Sequence, residues 1–297
     1  MFMELNGKNW MKDLPNDIDV FKLNLCGTHD CVTQFVQIPH FFQCQNKNIY
    51  EQLNLGIRAL DIRVASKNGR LVTVHDMAKT FAEKSRKTGQ MDLQKVLDYC
   101  YKFLNENPSE TIIFQFKNDY GNNNEECFDL LFNKYLEINR NKWFAENRAP
   151  QLGEARGKII LIRRCKMTQK HEYTTQNTGI DFSAWQEQVT AEPHPLPLTT
   201  GGEHSMKFIV QDRFKYKPIP RWNECILPFL NSACKFNGEY IINYLSTAGG
   251  LKGPKNNANY INGEFLKYPL NKNFYYGTIY CDFPTEKLVN KINETNF

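Results

Sequence analysis

The chain has 297 residues, of which 41% are hydrophobic and 23% charged, and its formal net charge is +5. This composition excludes a disordered chain, and the length fits one barrel-sized domain or two smaller domains. Lys and Arg form no dense stripe, so the charge does not favour nucleic-acid binding, although it would favour contact with an anionic lipid surface.

The sequence also bears on where the protein works. The first ten residues include Glu4 and Lys8, which do not fit a signal peptide, and no apolar run is long enough to span a membrane. Nine cysteines without a short regular spacing favour a reducing compartment over a disulfide framework. We therefore expect a cytoplasmic or peripherally membrane-bound protein, and export without a recognisable signal peptide is left open.

Strand-like and helix-like patterns alternate along the chain. Runs of β-branched and aromatic residues predict eight strands, at 21–26, 58–64, 71–75, 111–116, 159–162, 207–211, 240–245 and 276–281. Apolar residues at helical spacing predict helices at 48–55, from 91 to a stop signal at 107–109, and at 124–143, 219–236 and 257–266. Residues 165–206 are irregular, and we expect a long functional loop there.

The second strand has an unusual inward face. Leu60 and Ile62 share one side of it, while Asp61 and Arg63 share the other. Charges inside a barrel are costly unless they pair with each other or with a ligand. The sequence Asn68-Gly69 then predicts a hairpin to the third strand, which leaves no room for a crossover helix.

Eight strands interleaved with helices predict an α/β fold with a closed or nearly closed parallel barrel, whose site lies at the carboxyl ends of the strands. The first and last strands of such a barrel are neighbours, so we expect His29 to meet Asp282. Two histidines, carboxylates and an arginine together indicate general acid–base chemistry on a phosphate ester. The residues at the strand ends are His29, Asp30, Arg63, His75, Lys117, Arg164, Asp212, Phe214 and Asp282.

Five segments resemble the catalytic X domain of phosphatidylinositol-specific phospholipase C, in its bacterial, metal-independent form. They are CGTHDC at 26–31, EQLNLGIRALDIR at 51–63, LVTVH at 71–75, FLNENPSETII at 103–113 and ARGKIILIRR at 155–164. The resemblance runs from about Trp10 to Asp282. It implies a distorted or incomplete TIM-like (β/α)8 barrel that forms one domain over 1–297, with a core at about 10–290.

The resemblance also implies an activity. The inositol 2-hydroxyl of phosphatidylinositol would attack the phosphorus, releasing diacylglycerol and inositol 1,2-cyclic phosphate. The partner would be a phosphatidylinositol-containing membrane surface, contacted transiently by a monomer, with no nucleic acid involved. Acceptance of glycosylated inositol lipids is left open.

Residue roles follow from the resemblance position by position. His29 would be the general base with Asp282 as its orienting partner, and His75 with Asp30 would be the general acid. Arg63 would hold the phosphate with Asp61 as a supporting carboxylate. The inositol-binding residues would be Lys117, Arg164 and Asp212, with Phe214 beneath the ring in place of the tyrosine of relatives.

The resemblance implies no cofactor and no metal. Arg63 places a fixed positive charge where metal-dependent relatives would hold calcium. A set formed by Cys26, His29, Cys31 and Cys44 lacks a second Cys/His pair at finger-like spacing, so the sequence does not predict a structural metal site.

Several alternatives stay open at this point. Cys31 and Asp76 stand where the family usually has a small residue and a glycine, which allows a catalytically weak inositol-lipid binding module. A barrel enzyme acting on glycerophosphodiesters or sphingolipids would want a Glu/Asp metal triad near the second strand, which this chain lacks. Lys117 and Arg164 could also be solvated charges at strand ends, and Phe214 could belong to the core.

Overall fold

The computed structural model describes residues 6–119, 124–168, 170, 172–187, 195–202, 204–236 and 238–297. Its strands are β1 (Leu25–Thr28), β2 (Phe35–Val36), β3 (Ala59–Lys67), β4 (Arg70–His75), β5 (Ala78–Phe81), β6 (Ile112–Asn118), β7 (Trp143–Phe144), β8 (Ile159–Arg163), β9 (Ile180–Asp181), β10 (Leu196–Thr199), β11 (Lys207–Gln211), β12 (Tyr240–Tyr244) and β13 (Thr278–Cys281).

The α-helices are α1 (Pro39–Phe42), α2 (Ile49–Leu55), α3 (Leu93–Glu106), α4 (Asn124–Leu130), α5 (Leu152–Ala155), α6 (Pro218–Pro220), α7 (Leu227–Ser232), α8 (Gly253–Lys267) and α9 (Glu286–Asn293). Segments of 3-10 helix cover Trp10–Asp13, Val20–Lys22, Glu137–Lys142, Ala233–Lys235 and Glu294–Asn296, and π-helix covers Leu131–Leu136 and Arg221–Ile226. None of the helices in the described ranges is both long and apolar enough to cross a bilayer.

The parallel strands form a distorted, incomplete barrel in the order β11, β12, β13, β1, β3, β6, β8, β9. The first and last strands pair as predicted, with Leu25 opposite Thr278 and Thr28 opposite Cys281. The short strands β7 and β9 share one edge of β8. Within the described residues no pairing joins β9 to β10 or β11, so the barrel is open beside the irregular segment 165–206.

The predicted alternation of β3 is confirmed. Leu60 and Ile62 pack outward among the apolar faces of the helices, as do Val96 and Leu97 of α3. Inward residues of the other strands form a second apolar cluster, which continues into Trp10 and its neighbours at the amino-terminal end of the barrel. Asp61, on the inward face, is fully buried. The barrel interior is therefore apolar at one end and ionic at the other.

The prediction for the first strand was wrong in its bounds. Residues 21–26 do not form one strand, because the chain makes a 3-10 turn at Val20–Lys22 before β1 begins at Leu25. The Asp19 side chain accepts a hydrogen bond from the Phe21 N–H at 2.8 Å, which fixes the turn. The alternating pattern reflected burial of Phe21 and Leu23 against the barrel end rather than strand pairing.

The predicted third strand exists but is not a barrel strand. β4 runs antiparallel to β3 through the Asn68-Gly69 turn, and β5 and β2 extend the same hairpin away from the barrel. The eighth parallel strand is instead the two-residue strand β9, which has no alternating pattern to predict it. Because β4 runs antiparallel to β3, His75 at its end reaches the barrel from a hairpin and not from a barrel strand.

The helix predictions are confirmed in position, with three differences. Residues 124–143 and 219–236 are each broken into α, π and 3-10 segments, and Asn139 has non-helical backbone angles. The predicted helix 257–266 begins four residues earlier, at Gly253. The short helices α1 and α5 and the carboxyl-terminal helix α9, which is capped by Thr285, were not predicted.

Candidate active site

A cavity of about 550 Å³ opens at the carboxyl ends of the barrel strands. Eight of the ten candidate residues line it, and Asp30 and Asp61 lie fully buried beside it. The lining residues are His29, Phe41, Phe42, Cys44, Arg63, His75, Asp76, Lys117, Asp119, Arg164, Glu187, Asp212, Phe214, Lys215, Ser246, Thr247, Ala248, Pro254 and Asp282.

His29 and Asp282 meet across the seam between β1 and β13. The distance between His29 Nδ1 and Asp282 Oδ1 is 2.8 Å. The backbone N–H of His29 donates to the Cys281 carbonyl at 3.1 Å. Gln45 Nε2 donates to the backbone carbonyls of His29 and Cys281. The backbone bonds therefore fix the two strand ends, and Asp282 orients the His29 ring across the seam.

The turn after β1 folds Asp30 underneath His29. Asp30 has a φ of 42°, a left-handed conformation that Asp adopts more readily than most residues. Its Oδ2 lies 3.1 Å from His29 Nε2 and 3.3 Å from His75 Nε2, and its Oδ1 lies 3.2 Å from Arg63 Nε. One buried carboxylate thus stands between both histidines and the arginine. None of the three contacts is aligned as a hydrogen bond.

The two carboxylates beside His29 control its proton affinity. Burial alone would lower the pKa of His29, but Asp282 and Asp30 oppose this effect and raise the pKa to about 9. The neutral imidazole is therefore a strong proton acceptor. It is the group in this cluster best suited to take a proton from a hydroxyl.

Arg63 is held by three carboxylates at the cavity wall. Its Nε and Nη2 donate to Asp61 Oδ2 at 3.2 and 3.1 Å, and its Nη1 lies 3.6 Å from Asp119 Oδ2. Gln115 Nε2 donates to the other oxygen of Asp61 at 3.2 Å. Burial would raise the pKa of Asp61, but Arg63 and the neighbouring cations lower it, so this carboxylate stays ionised.

His75 lies at the end of β4 and faces Asp30. Its Nδ1 is 2.9 Å from the Phe42 carbonyl oxygen. A carbonyl oxygen only accepts hydrogen bonds, so Nδ1 of His75 carries a proton. An unprotonated Nε2 would place its lone pair against the Asp30 carboxylate oxygen, which is repulsive, so a second proton lies between these two atoms. That proton resides on His75 Nε2 or on Asp30, whose pKa is raised by burial despite its cationic neighbours. The pair can therefore deliver a proton into the cavity.

The opposite wall is cationic. Lys117 Nζ lies 2.7 Å from Asp119 Oδ1 and 2.8 Å from Glu187 Oε1. The guanidinium of Arg164 lies 4.1 Å from the Trp185 ring centroid, and its Nη2 is 3.6 Å from the same Glu187 oxygen. Both cations are largely buried and face the cavity, so they are not solvated strand-end charges.

The aromatic residue Phe214 is half-buried and lines the cavity, so it is not part of the core. Asp212 lines the same wall two residues earlier. Both follow β11, whose predicted bounds of 207–211 match the structure.

The two residues that depart from the family pattern do not disrupt the cluster. Cys31 is fully buried, and its thiol donates to the Asp61 carbonyl at 3.1 Å. Asp76 has a φ of 51°, a left-handed conformation that glycine adopts most easily, which accounts for the glycine expected at this position from the resemblance. The backbone N–H of Asp76 donates to Asp119 Oδ2 at 2.7 Å. Cys31 thus bonds the backbone of Asp61, and Asp76 bonds the carboxylate of Asp119, and both of these acids contact Arg63.

Sequence reasoning missed Asp119, Trp185, Glu187 and Cys44 as residues of the site. Asp119 follows directly after β6, two residues beyond Lys117, and this position at a strand end was the available signal. Trp185 and Glu187 lie in the irregular segment 165–206, where no periodic pattern indicates which way a side chain points. His171 and His194, two other histidines of that segment, lie outside the described residues.

Comparisons with known proteins agree with the resemblance found in the sequence. The sequence profile described as "Phosphatidylinositol-specific phospholipase C, X domain" matches residues 33–165. Residues 33–165 are therefore similar to this X domain. A 1-phosphatidylinositol phosphodiesterase of Listeria monocytogenes is 25% identical over 304 residues, covering 97% of this chain and 85% of the relative. One from Staphylococcus aureus strain Newman is 26% identical over 276 residues, covering 88% and 82%.

Solved structures show the same fold. A phosphatidylinositol-specific phospholipase C from Staphylococcus aureus with incorporated pentafluoro-Phe superimposes with a TM-score of 0.80 at 23% identity, covering 98% of both chains. The enzyme from Listeria monocytogenes superimposes with a TM-score of 0.75 at 23% identity, covering 98% of this chain and 99% of the other. The predicted incomplete TIM-like barrel and the resemblance to the X domain are both confirmed.

Proposed function

We propose that the chain is a phosphodiesterase that cleaves phosphatidylinositol to diacylglycerol and inositol 1,2-cyclic phosphate. The observation that carries the proposal is the convergence of His29, His75 and Arg63 on the buried Asp30, with Asp282 behind His29. A strong base, a proton donor and a fixed cation around one cavity are the groups that intramolecular transfer at a phosphodiester requires.

Each group then has a task. His29 accepts the proton of the inositol 2-hydroxyl as its oxygen attacks phosphorus, and Asp282 orients the ring and stabilises the imidazolium. His75, with Asp30, donates a proton to the diacylglycerol oxygen as its bond to phosphorus breaks. Arg63, supported by Asp61, stabilises the charge on the non-bridging oxygens through its planar donors.

We assign binding of the inositol ring to the opposite wall. Lys117, Arg164 and Asp212 offer charged donors and acceptors for the ring hydroxyls, and Phe214 offers an apolar surface beneath the ring. Residues 1–297 act as one catalytic barrel with a core at about 10–290. Buried apolar residues from Trp10 to Ile292, which pack into its two main clusters, support this unit.

The proposed reaction uses no metal ion. Arg63 contacts Asp30, Asp61 and Asp119, so its guanidinium fills the position in which these carboxylates would otherwise bind a hard cation. The alternative of a catalytically weak binding module is not favoured, because Cys31 and Asp76 support the cluster instead of replacing part of it.

The test is release of inositol 1,2-cyclic phosphate from phosphatidylinositol vesicles in excess chelator. We expect the rate to equal that without chelator, since the fixed charge is supplied by Arg63. A rate that falls to background in chelator and returns with calcium would contradict the mechanism. Vesicles containing glycosylated inositol lipid, assayed in parallel, decide whether the larger head group is accepted.

We further propose that the rim of the cavity docks transiently on the membrane and that the protein acts there as a peripheral monomer. Exposed apolar side chains lie in or next to the segments that line the cavity, namely Ile38, Phe41, Met77, Ile219 and Leu251. The rim segments are joined, since His40 Nε2 bonds the Leu251 carbonyl at 3.1 Å and α6 and α1 pack on α8. Lys215 and Lys252 add positive charge for an anionic surface.

Replacing Leu251 and Ile219 together by serine is expected to weaken vesicle binding by at least about tenfold. Burial of one such side chain is worth about 1.5–3 kcal/mol, and 1.4 kcal/mol is tenfold in affinity. Sedimentation with phosphatidylinositol vesicles measures the change. The control is the substitution Phe297→Ser. Phe297 is exposed but lies away from the cavity, since the adjacent Asn296 bonds Asn24 at the amino-terminal end of β1. Equal losses for both variants would refute docking through the rim.

A further inference from the structure

A thiol of the cavity has no task in the proposed reaction. Cys44 is 1% exposed and lines the cavity, with its Sγ 3.9 Å from His75 Nδ1. Its backbone is fixed on both sides: its N–H donates to Thr33 Oγ1 at 3.0 Å, and its carbonyl accepts from the Phe283 N–H at 2.9 Å. Thr33 Oγ1 in turn donates to the Asp30 carbonyl at 2.7 Å. The thiol is therefore held in a defined position relative to Asp30.

Cys44 stands close to two other groups that can bind metals. One ligand atom each of His29, Asp30 and Cys44 lies within 4.8 Å of the other two. Tetrahedral zinc has bonds of about 2.0–2.3 Å, so its ligand atoms are roughly 3.3–3.8 Å apart. Side-chain shifts of about 1 Å would close the three groups around one ion.

A second observation also points to a ligand. Both carboxylate oxygens of Asp30 are buried, and neither receives an aligned hydrogen bond within the described structure. Buried carboxylate oxygens normally accept hydrogen bonds or coordinate an ion. Asp30 is held by contacts with His29, His75 and Arg63 at 3.1–3.3 Å without an aligned hydrogen bond, so a cation could compete for its Oδ2 on the side that faces His29.

We propose that Cys44, His29 and Asp30 form an inhibitory zinc site. Thiolate, imidazole and carboxylate are the ligand types that zinc prefers, whereas calcium and magnesium prefer oxygen alone. On binding, the Cys44 thiol and the protonated imidazole of His29 each release a proton to solvent, and the fourth position of the ion is left to water. Bound zinc would occupy the lone pair of His29 and the space beneath the reacting phosphate. The site shares Asp30 with the carboxylates that hold Arg63, but it lies on the side of Asp30 that faces His29.

Arg63 limits how tightly zinc can bind. Its Nε lies 3.2 Å from Asp30 Oδ1, and the guanidinium repels an approaching dication. The ion must also displace the His29 contact with Asp30, which is 3.1 Å long. We therefore expect a reversible inhibitory ion that a chelator removes, not a resident structural zinc.

Cobalt(II) provides a test that does not depend on enzyme activity. It replaces zinc at thiolate sites and then shows a thiolate-to-cobalt charge-transfer absorption in the near ultraviolet. We expect this band with the native chain and its loss on addition of zinc. Cys44→Ser should lack the band, and far-ultraviolet circular dichroism would verify that the variant is folded.

The matched control is Cys234→Ser, which removes the exposed thiol and leaves Cys44 in place. This variant should keep the cobalt band. Absence of the band in the native chain, its persistence in Cys44→Ser, or its loss in Cys234→Ser would each overturn the proposed site.

The second experiment measures inhibition of lipid cleavage by zinc, and it rests on the proposed function. Zinc should slow release of cyclic phosphate from phosphatidylinositol vesicles, and chelator should restore the rate. Loss of a group that supports a metal typically costs about 10–100-fold in affinity, so Cys44→Ser should need at least about tenfold more zinc for half inhibition. If neither the native chain nor the variants cleave the lipid, the proposed function is wrong. The cobalt titration still decides the metal site in that case. Equal zinc sensitivity of the native chain and Cys44→Ser would refute inhibition through this thiol.

Discussion

His29→Ala is expected to lower kcat/KM for phosphatidylinositol cleavage by about 10²–10⁴-fold, the usual contribution of a positioned general base. The imidazole that would take the hydroxyl proton is lost, and no other base of the cluster lies in the same position between Asp282 and Asp30. Release of inositol 1,2-cyclic phosphate measures the effect. Vesicle binding by the same variant should be unchanged, because the docking rim is intact.

Two further variants make this result specific. Asp282→Asn removes the charge behind His29 but keeps an oxygen that can accept from Nδ1, so a smaller loss than for His29→Ala is expected. His204→Ala removes an exposed histidine before β11 that does not line the cavity and should leave the rate unchanged. A His29→Ala enzyme as active as the His204→Ala enzyme would remove His29 from the mechanism.

Glu110→Ala is expected to cost about 3–5 kcal/mol of unfolding free energy, because it leaves a buried arginine without its counter-charge. Arg58 and Glu110 are both fully buried, and Arg58 Nε donates to Glu110 Oε2 at 2.9 Å. Glu110 Oε2 also accepts from the Met11 N–H, and Arg58 Nη2 donates to the Gly7 and Lys8 carbonyls. The pair ties the amino-terminal segment to the barrel.

Equilibrium urea unfolding measures this loss. The matched control is Glu137→Ala, whose ion pair with Arg140 is exposed and 3.3 Å long. Exposed pairs contribute about 0.2–1 kcal/mol, so this variant should stay close to the native chain. A loss for Glu110→Ala as small as that for Glu137→Ala would show that Arg58 is satisfied by the surrounding carbonyls alone.

Local patterns carried much of the information about the fold. The helix 48–55 was predictable because Asn48 caps it, with a reciprocal bond from Glu51, and Gly56 ends it at a φ of 110°. Strand β11 was predictable to the residue because its apolar run is bounded by polar residues. The first strand was misplaced because Phe21 and Leu23 are buried without being paired, and an alternating pattern reports burial alone.

The sequence by itself determined which side chains reach the catalytic end of the barrel. Strand period and strand order are local properties, and closure of a parallel barrel makes the ends of its first and last strands neighbours. Barrel closure therefore places His29 beside Asp282 from the sequence alone.

Only the tertiary structure decided how the charges are shared. Asp30, expected beside His75, contacts His29 and Arg63 as well, because a left-handed turn places its carboxylate beneath all three. Cys44 and Glu187 enter the cavity from loops, whose direction is set by packing against distant segments and leaves no periodic trace in sequence. The balance of proton affinities and the proposed zinc site depend on those long-range contacts.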